Sequence, residues 1–294
     1  MSLDIRDFGM TGLKVTALGF GAGMTGTDSL TDKEAKYLLN SVLDNGINLI
    51  DTARSYGLSE ERIGKHLSKR RSEFVLSTKV GYDVEGYEDW TYDCIIAGVD
   101  KALKILKTDY IDIVHLHSCN LDKLQEGAVT EALIRTVQEG KVRVPAYSGD
   151  NDALNYAVYS GRFGGMQASI NITDQKAIND ILYPAKKNYM GVIAKRPSAN
   201  SVWKYNEAPV GDYIEQYFYR LKQMDTDFGM PVHEAALRFA AYTYGVDSVI
   251  VGTTNIEHLK QNIAIVGKGK LPDDLYQQIR NKFNEHGSDW YSLV

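Results

Sequence analysis

The sequence predicts an α/β fold: a closed (β/α)8 TIM barrel with an N-terminal β-hairpin and an added C-terminal helix, one domain over residues 1–294. Short apolar runs alternate eight times, in order, with segments of helical period. That is the rhythm of a parallel sheet wrapped by helices. No Ser/Pro/Gly-rich linker divides the 294 residues, and such a barrel takes about 250. The competing fold, a doubly wound open sheet, wants G-x-G-x-x-G between strand and helix. The nearest stretch, GFGAGMTG at residues 19–26, lacks that spacing.

The hairpin is expected from residues 6–8 against 13–15, turned at 10–12. The first barrel strand, 16–20, runs into a loop with Gly21 and Gly23. Thr31 and Glu34 read as a capping box opening a helix to Leu43, whose apolar face is Ala35, Leu38, Leu39, Val42 and Leu43. Strand two is 48–51, followed by a helix that Ser59 would cap. Strand three, 74–78, ends at Lys79 and precedes a helix over 91–106. Strand four, 111–116, ends at His117, and its helix spans 121–139 up to Gly140, a good terminator. Pro145 weakens strand five, 142–147. Asp150 would cap a helix over 153–160. Strand six is 165–170, then a helix over 178–187 and strand seven at 191–194. A longer connection, 195–210, leads to helices at 211–224 and 232–244. Strand eight is 248–251, its helix 256–266, and the added helix 272–286.

Composition narrows the function classes. Lys+Arg total 33 and Asp+Glu 38, a net charge of −5, with no basic tract. Nucleic acid is therefore not an expected partner. No apolar run nears the roughly 20 residues of a membrane span, and MSLDIRDFG has neither the basic start nor the apolar core of a signal peptide. The two cysteines, Cys94 and Cys119, read as reduced thiols of a cytoplasmic protein.

Residues at the C-terminal ends of barrel strands face one mouth. Here those ends carry Asp51, then Tyr56 on the following loop, Lys79 and His117. Singly each has a dull explanation: a turn cap, a solvated charge, one tyrosine among 19, a satisfied histidine. Together they form a proton-transfer set. A phenol titrates near pH 10 in water. A neighbouring ammonium favours the phenolate and brings the proton within working range. An aspartate fixes that ammonium, and an imidazole can hydrogen-bond a carbonyl oxygen. Such a site protonates an oxygen on which negative charge develops, as in carbonyl reduction. No metal is assigned.

These stretches resemble the motifs of the aldo-keto reductases, and the resemblance covers nearly the whole chain. GINLIDTARSYG is similar to the family's GINFIDTA-x-x-YG, and LSTKVG to the strand with the catalytic lysine. DYIDIVHLHS resembles DYIDLYLIHWP, a register that selects His117 over His115. GKVRVPAYSG resembles GKIRALGVSN, and VIVGTTNIEHLKQN the cofactor segment near the C-terminus. The resemblance implies NAD(P)H-dependent reduction of an aldehyde or ketone to an alcohol, or the reverse, with Asp51, Tyr56, Lys79 and His117 as the tetrad and Tyr56 as general acid/base. It also implies a cofactor site. Ser148 and Gln167 would hold the carboxamide, and Gly21 and Met24 would lie near the nicotinamide ribose. Gly252, Thr253, Glu257, His258, Gln261 and Asn262 would surround the adenosine phosphate and adenine.

The chain departs from that pattern at three points. Gly149 stands where the family has asparagine. Lys195 and Arg196 follow strand seven, where a stacking aromatic is usual. Arg196 can grip a phosphate or pack by its guanidinium plane. His258 stands where many members carry an arginine for the 2′-phosphate. NADP is the expected cofactor, with NAD the alternative. The substrate is a small carbonyl compound or alcohol, its pocket walled by Met24, Tyr82, Asp83, Trp90, Cys119, Tyr147 and Trp203; the oligomeric state is left open. Two other readings stand beside this one. One is a Schiff-base lyase using Lys79. The other is an NAD(P)-binding, redox-sensing regulatory barrel similar to the family's potassium-channel subunits.

Overall fold

The computed structural model describes residues 3–293. The chain opens with an antiparallel hairpin, β1 (Ile5–Asp7) and β2 (Lys14–Thr16), in which Arg6 faces Val15. Eight strands follow: β3 (Leu18–Gly21), β4 (Leu49–Asp51), β5 (Val75–Val80), β6 (Ile111–His117), β7 (Val142–Ser148), β8 (Gly165–Ser169), β9 (Gly191–Lys195) and β10 (Ser248–Val251). They pair in chain order, all parallel, and β10 pairs with β3 to close the barrel. The helices packed outside are α1 (Asp32–Asp44), α2 (Ser59–Leu67), α3 (Tyr92–Leu106), α4 (Leu121–Glu126), α5 (Ala128–Gln138), α6 (Asn151–Tyr159), α7 (Lys176–Asp180), α8 (Leu182–Lys187), α9 (Glu215–Met224), α10 (Val232–Tyr242), α11 (Ile256–Val266) and α12 (Asp273–His286). Leu275, Ile279 and Phe283 of α12 pack on Ala235, Ala236 and Phe239 of α10, so the added helix has a core of its own. Among the described residues no helix is long and apolar enough to cross a membrane.

Alternate residues of each strand point into the barrel, and the interior changes character along its axis. At the floor, Leu49, Val75, Ile113, Val144 and Ile193 pack with Phe8, Leu13 and Val15 of the hairpin segment. The hairpin is thus a plug, and the Phe8 ring lies against Gly165 and Gly191. Two residues up the same strands the interior is polar: Asp51, Ser77 and His115, joined by Gln167. Two further up β5 and β6 come Lys79 and His117, at the mouth.

Local signals held where both partners are close in sequence. The Thr31 hydroxyl accepts from the Glu34 amide, and the Glu34 carboxylate accepts from the Thr31 amide at 2.8 Å. Several expectations are corrected where tertiary structure intervened. Ser59 does not cap α2: its hydroxyl donates to Ala22 O at 2.8 Å and accepts from Thr52 Oγ1 at 2.8 Å. Asp150 precedes α6 but makes no cap bond; its carboxylate accepts from the Ser169 amide at 2.8 Å. The helix expected over 121–139 breaks at Gly127, whose φ of 83° is the left-handed conformation that ends α4. The one expected over 178–187 is two short helices meeting at Ile181. Strand β7 runs unbroken through Pro145. The Pro145 carbonyl accepts from the Gly164 amide, just before β8 begins. A strand residue's N–H and C=O share a side, so the missing donor faces the sheet below the start of that ladder.

Candidate active site

The barrel mouth opens into a cavity of about 940 Å³. Asp51, Tyr56, Lys79 and His117 all line it. Lys79 Nζ donates to Asp51 Oδ2 at 2.6 Å and to Thr52 O at 2.8 Å, and both side chains are buried. The other Asp51 oxygen accepts from Ser77 Oγ at 2.7 Å and Gln167 Nε2 at 2.9 Å. Burial opposes the charge on Asp51, but the Lys79 ammonium overrides it and holds the carboxyl below the usual carboxylate range. Burial likewise opposes the charge on Lys79, and Asp51, then Tyr56, hold its pKa above normal. The pair is therefore ionic. The Lys79 ammonium lies 5.0 Å from the centroid of the Tyr56 ring.

Tyr56 sits on the loop after β4, and that loop is clamped. A short 3₁₀ turn, Ala22–Gly26, runs along it. A Cβ on Gly26 would lie 1.6 Å from the Tyr56 carbonyl oxygen, so only glycine allows the approach. Leu58 N donates to Gly26 O at 3.0 Å. From α2, buried Arg62 donates to the carbonyls of Thr25 and Leu30, at 2.5 and 2.8 Å.

His117 and His115 both face inward from β6. Burial, then the Lys79 charge, push the His117 pKa down to about 3, and burial pushes that of His115 to about 4. Both rings are neutral at neutral pH. His115 belongs to the deeper polar layer, 3.1 Å from Ser77 Oγ. His117 is at the mouth, its ring 6.1 Å from that of Tyr56, edge to face.

Gly21, Met24, Ser148, Gln167, Lys195, Arg196, Gly252, Thr253, His258, Gln261 and Asn262 also line the cavity. Glu257 does not share that wall; it is exposed and paired with Lys260 at 2.9 Å. Ser148 Oγ donates to Gln167 Oε1 at 2.9 Å, presenting an amide and a hydroxyl side by side. A Cβ on Gly149 would lie 2.5 Å from the Tyr147 hydroxyl, which explains the glycine there. Gly21 and Gly252 pack backbone to backbone: a Cβ on Gly252 would lie 2.9 Å from Gly21 O. The wall combines glycines close to Tyr56, namely Gly21 and Gly23, with the cationic side chains of Lys195, Arg196 and Lys204.

Lys195 and Arg196 are less free than the sequence implied. Lys195 Nζ is paired with buried Asp150 at 2.8 Å. Arg196 Nη1 donates to Leu293 O at 2.5 Å, and its guanidinium lies 5.2 Å from the Tyr213 ring. Pro197, Ser198, Asn200, Ser201, Lys204, Tyr213 and His233 also line the wall and are not marked by any sequence motif. All but His233, which is on α10, come from the connection after β9, whose left-handed residues Arg196, Ala199, Asn200 and Ser201 no strand or helix signal marks. Of the expected substrate walls, Met24 lines the cavity; Tyr82, Asp83, Trp90 and Trp203 do not, and Cys119 and Tyr147 are buried. Burial pushes the Cys119 thiol up to about 12, so it is no thiolate nucleophile. Lys79, charged and doubly hydrogen-bonded, is equally unsuited to Schiff-base formation, which needs a neutral amine.

The Arg196 wall leans on a C-terminal segment held from beneath. Ser292 Oγ donates to Asp174 Oδ1 at 2.6 Å, and Tyr217 OH to Asp174 Oδ2 at 3.0 Å. Burial, reinforced by the nearby Asp150 charge, raises the Asp174 carboxyl to about 6 from 3.8. The fold therefore binds this proton more tightly than the unfolded chain does. Its contribution to stability is lowest above pH 6 and rises as pH falls towards 4. Asp174→Asn should remove about 1 kcal/mol of the stability gained between pH 7.5 and 5. Urea unfolding at both pH values reads this, and an unchanged increment would show that the carboxyl titrates normally.

Comparison with known proteins gives a consistent picture. The model described as the Aldo/keto reductase family matches residues 17–284. The chain is 27% identical to L-galactose dehydrogenase of Arabidopsis thaliana, covering 90% of this chain and 88% of that one. It is 28% identical to D-threo-aldose 1-dehydrogenase of a Pseudomonas species, covering 85% and 89%. Among solved structures, the holo form of aldo-keto reductase AKR11C1 from Bacillus halodurans superposes with a TM-score of 0.82 at 28% identity, covering 95% and 96%.

Proposed function

The chain belongs to the aldo/keto reductase family and is an oxidoreductase, and from that premise we propose that it reduces an aldehyde or ketone to an alcohol, or runs the reverse, with NADP(H) and with Tyr56 as general acid/base. The observation that carries this reading is the buried Lys79–Asp51 ion pair, 2.6 Å long, with its ammonium 5.0 Å from the Tyr56 ring centroid at the cavity mouth. The bound cofactor supplies the hydride. As charge develops on the carbonyl oxygen, Tyr56 delivers its proton and becomes a phenolate. The Lys79 ammonium stabilises that anion in a site where little water screens it. Asp51 keeps the ammonium charged and fixed. His117, being neutral, donates a hydrogen bond to the same oxygen without repelling Lys79.

NADP is favoured over NAD because Lys204, His233 and His258 line the wall beyond Lys195 and Arg196, and a 2′-phosphate needs such donors. Ser148 and Gln167 would hold the carboxamide, and Gly21 and Gly252 would let the cofactor backbone approach closely. A cytoplasmic location accompanies this reading; Cys94 and Cys119 are buried and unpaired.

The test is absorbance at the nicotinamide band with a panel of small and aromatic aldehydes and ketones. Oxidation of NADPH, faster than that of NADH, is expected. Measurable NADPH binding with no oxidation across the panel would defeat the proposal and favour the regulatory reading.

A further inference from the structure

Tyr82 is the polar group nearest to the ring of His117 that the proposed chemistry does not use. It follows β5 on the loop after Lys79, and its ring stacks on His117 at 5.5 Å with an interplanar angle of 23°. The Trp90 ring also packs against it, tilted, at 5.7 Å. Tyr82 Oη is 2.8 Å from His117 Nδ1 and 3.2 Å from Ser55 Oγ.

A neutral imidazole has one N–H and one bare nitrogen, and the partner of one nitrogen decides the role of the other. His117 is neutral here, so its tautomer determines whether it presents a donor or an acceptor to the cavity. Tyr82 has a single proton for two neighbours. A phenol is a stronger hydrogen-bond acid than an imidazole N–H, and its oxygen lone pairs are drawn into the ring. The bare imidazole nitrogen is a stronger base than a serine oxygen. The shorter contact is also the one to His117. Ser55 Oγ, at 3.2 Å, is the competing acceptor for that one proton and the more distant of the two.

We propose that Tyr82 is a positioning residue that donates its hydroxyl proton to His117 Nδ1, fixing the Nε2–H tautomer and aiming that donor at the carbonyl oxygen of the substrate. The catalytic half of this statement rests on the carbonyl-reductase reading; the tautomer half does not. With Tyr82 holding Nδ1, His117 cannot present a lone pair to the cavity. It becomes a fixed donor whose orientation is settled before the substrate arrives, a form of preorganisation.

The test is Tyr82→Phe, which keeps the ring packed against His117 and Trp90 and removes only the hydroxyl. In full-length protein labelled with 15N-histidine, the wild type should show Nε2 protonated and Nδ1 bare. Tyr82→Phe should show a mixture of tautomers, a change that loss of packing alone would not produce. Wild-type His117 found as the Nδ1–H tautomer, or an unaltered tautomer in Tyr82→Phe, would overturn the proposal. With a turned-over aldehyde and NADPH, kcat/KM should fall about tenfold, the rate equivalent of one hydrogen bond, at unchanged NADPH affinity. A tautomer shift without that fall would overturn the catalytic half alone. Absence of turnover in the wild type would count against the reductase reading and leave the tautomer result standing.

Discussion

Tyr56→Phe is expected to lower kcat for carbonyl reduction by about 10³-fold, within the range a positioned general acid supplies. The substitution removes one oxygen. The ring still packs beside Gly23, where a Cβ would lie 3.6 Å away, and the loop remains tied to Gly26 and Arg62. NADPH affinity, read by fluorescence quenching, should therefore stay within a factor of about two, far less than one hydrogen bond to a charged group would change it. Loss of turnover with cofactor binding retained is the signature of a proton donor. A variant that keeps kcat within a few-fold of wild type would remove Tyr56 from that role.

Lys79→Met should be costly twice over. Activity should be lost with the ammonium that stabilises the Tyr56 anion. Stability should fall as well, because Asp51 keeps a buried carboxylate with only Ser77 and Gln167 as donors. Breaking one side of a buried ion pair costs about 3–5 kcal/mol, equivalent to a Tm loss of about 5–8 °C in a chain of this size. Adding Asp51→Asn removes the stranded charge, so the double variant should regain most of the lost stability and none of the lost activity. Thermal unfolding of both singles and the double reads this coupling. A double variant as unstable as Lys79→Met would mean that packing of the lysine stem, and not the charge, was what the fold missed.

The barrel was legible because its signals are short-range. An apolar run of four to seven residues and a helical stripe can each be read within one window, and their repetition implies closure. Asp51, Lys79 and His117 were legible for the same reason, since strand ends point to one mouth whatever the loops do; Tyr56, on a loop, was legible through its short spacing from Asp51. What could not be read depends on partners far away in the chain. Ser59 has the right type for a helix cap, but Thr52 and Ala22 compete for its hydroxyl. Asp150 looks like a cap, but Ser169 and Lys195, on neighbouring strands, take its carboxylate. Lys195 reads as a free cation in the sequence because Asp150, which pairs with it, is far away along the chain. Lys204, Tyr213 and His233 reach the cavity through a loop of left-handed residues and a helix whose placement no local pattern encodes.

The stepwise change of character along β5, from Val75 through Ser77 to Lys79, has a consequence for how the barrel assembles. A parallel strand can slide by one residue against its neighbours at little cost in backbone hydrogen bonds, but every side chain then changes face. A slip of β5 would turn Lys79 out among the apolar helices and leave Asp51 alone in the interior. A stretch such as Val249–Val251 of β10 carries no comparable penalty of its own, because valine and isoleucine suit either face. The ion pair therefore serves as a registration mark: the charges that would tune the tyrosine also reject misaligned barrels.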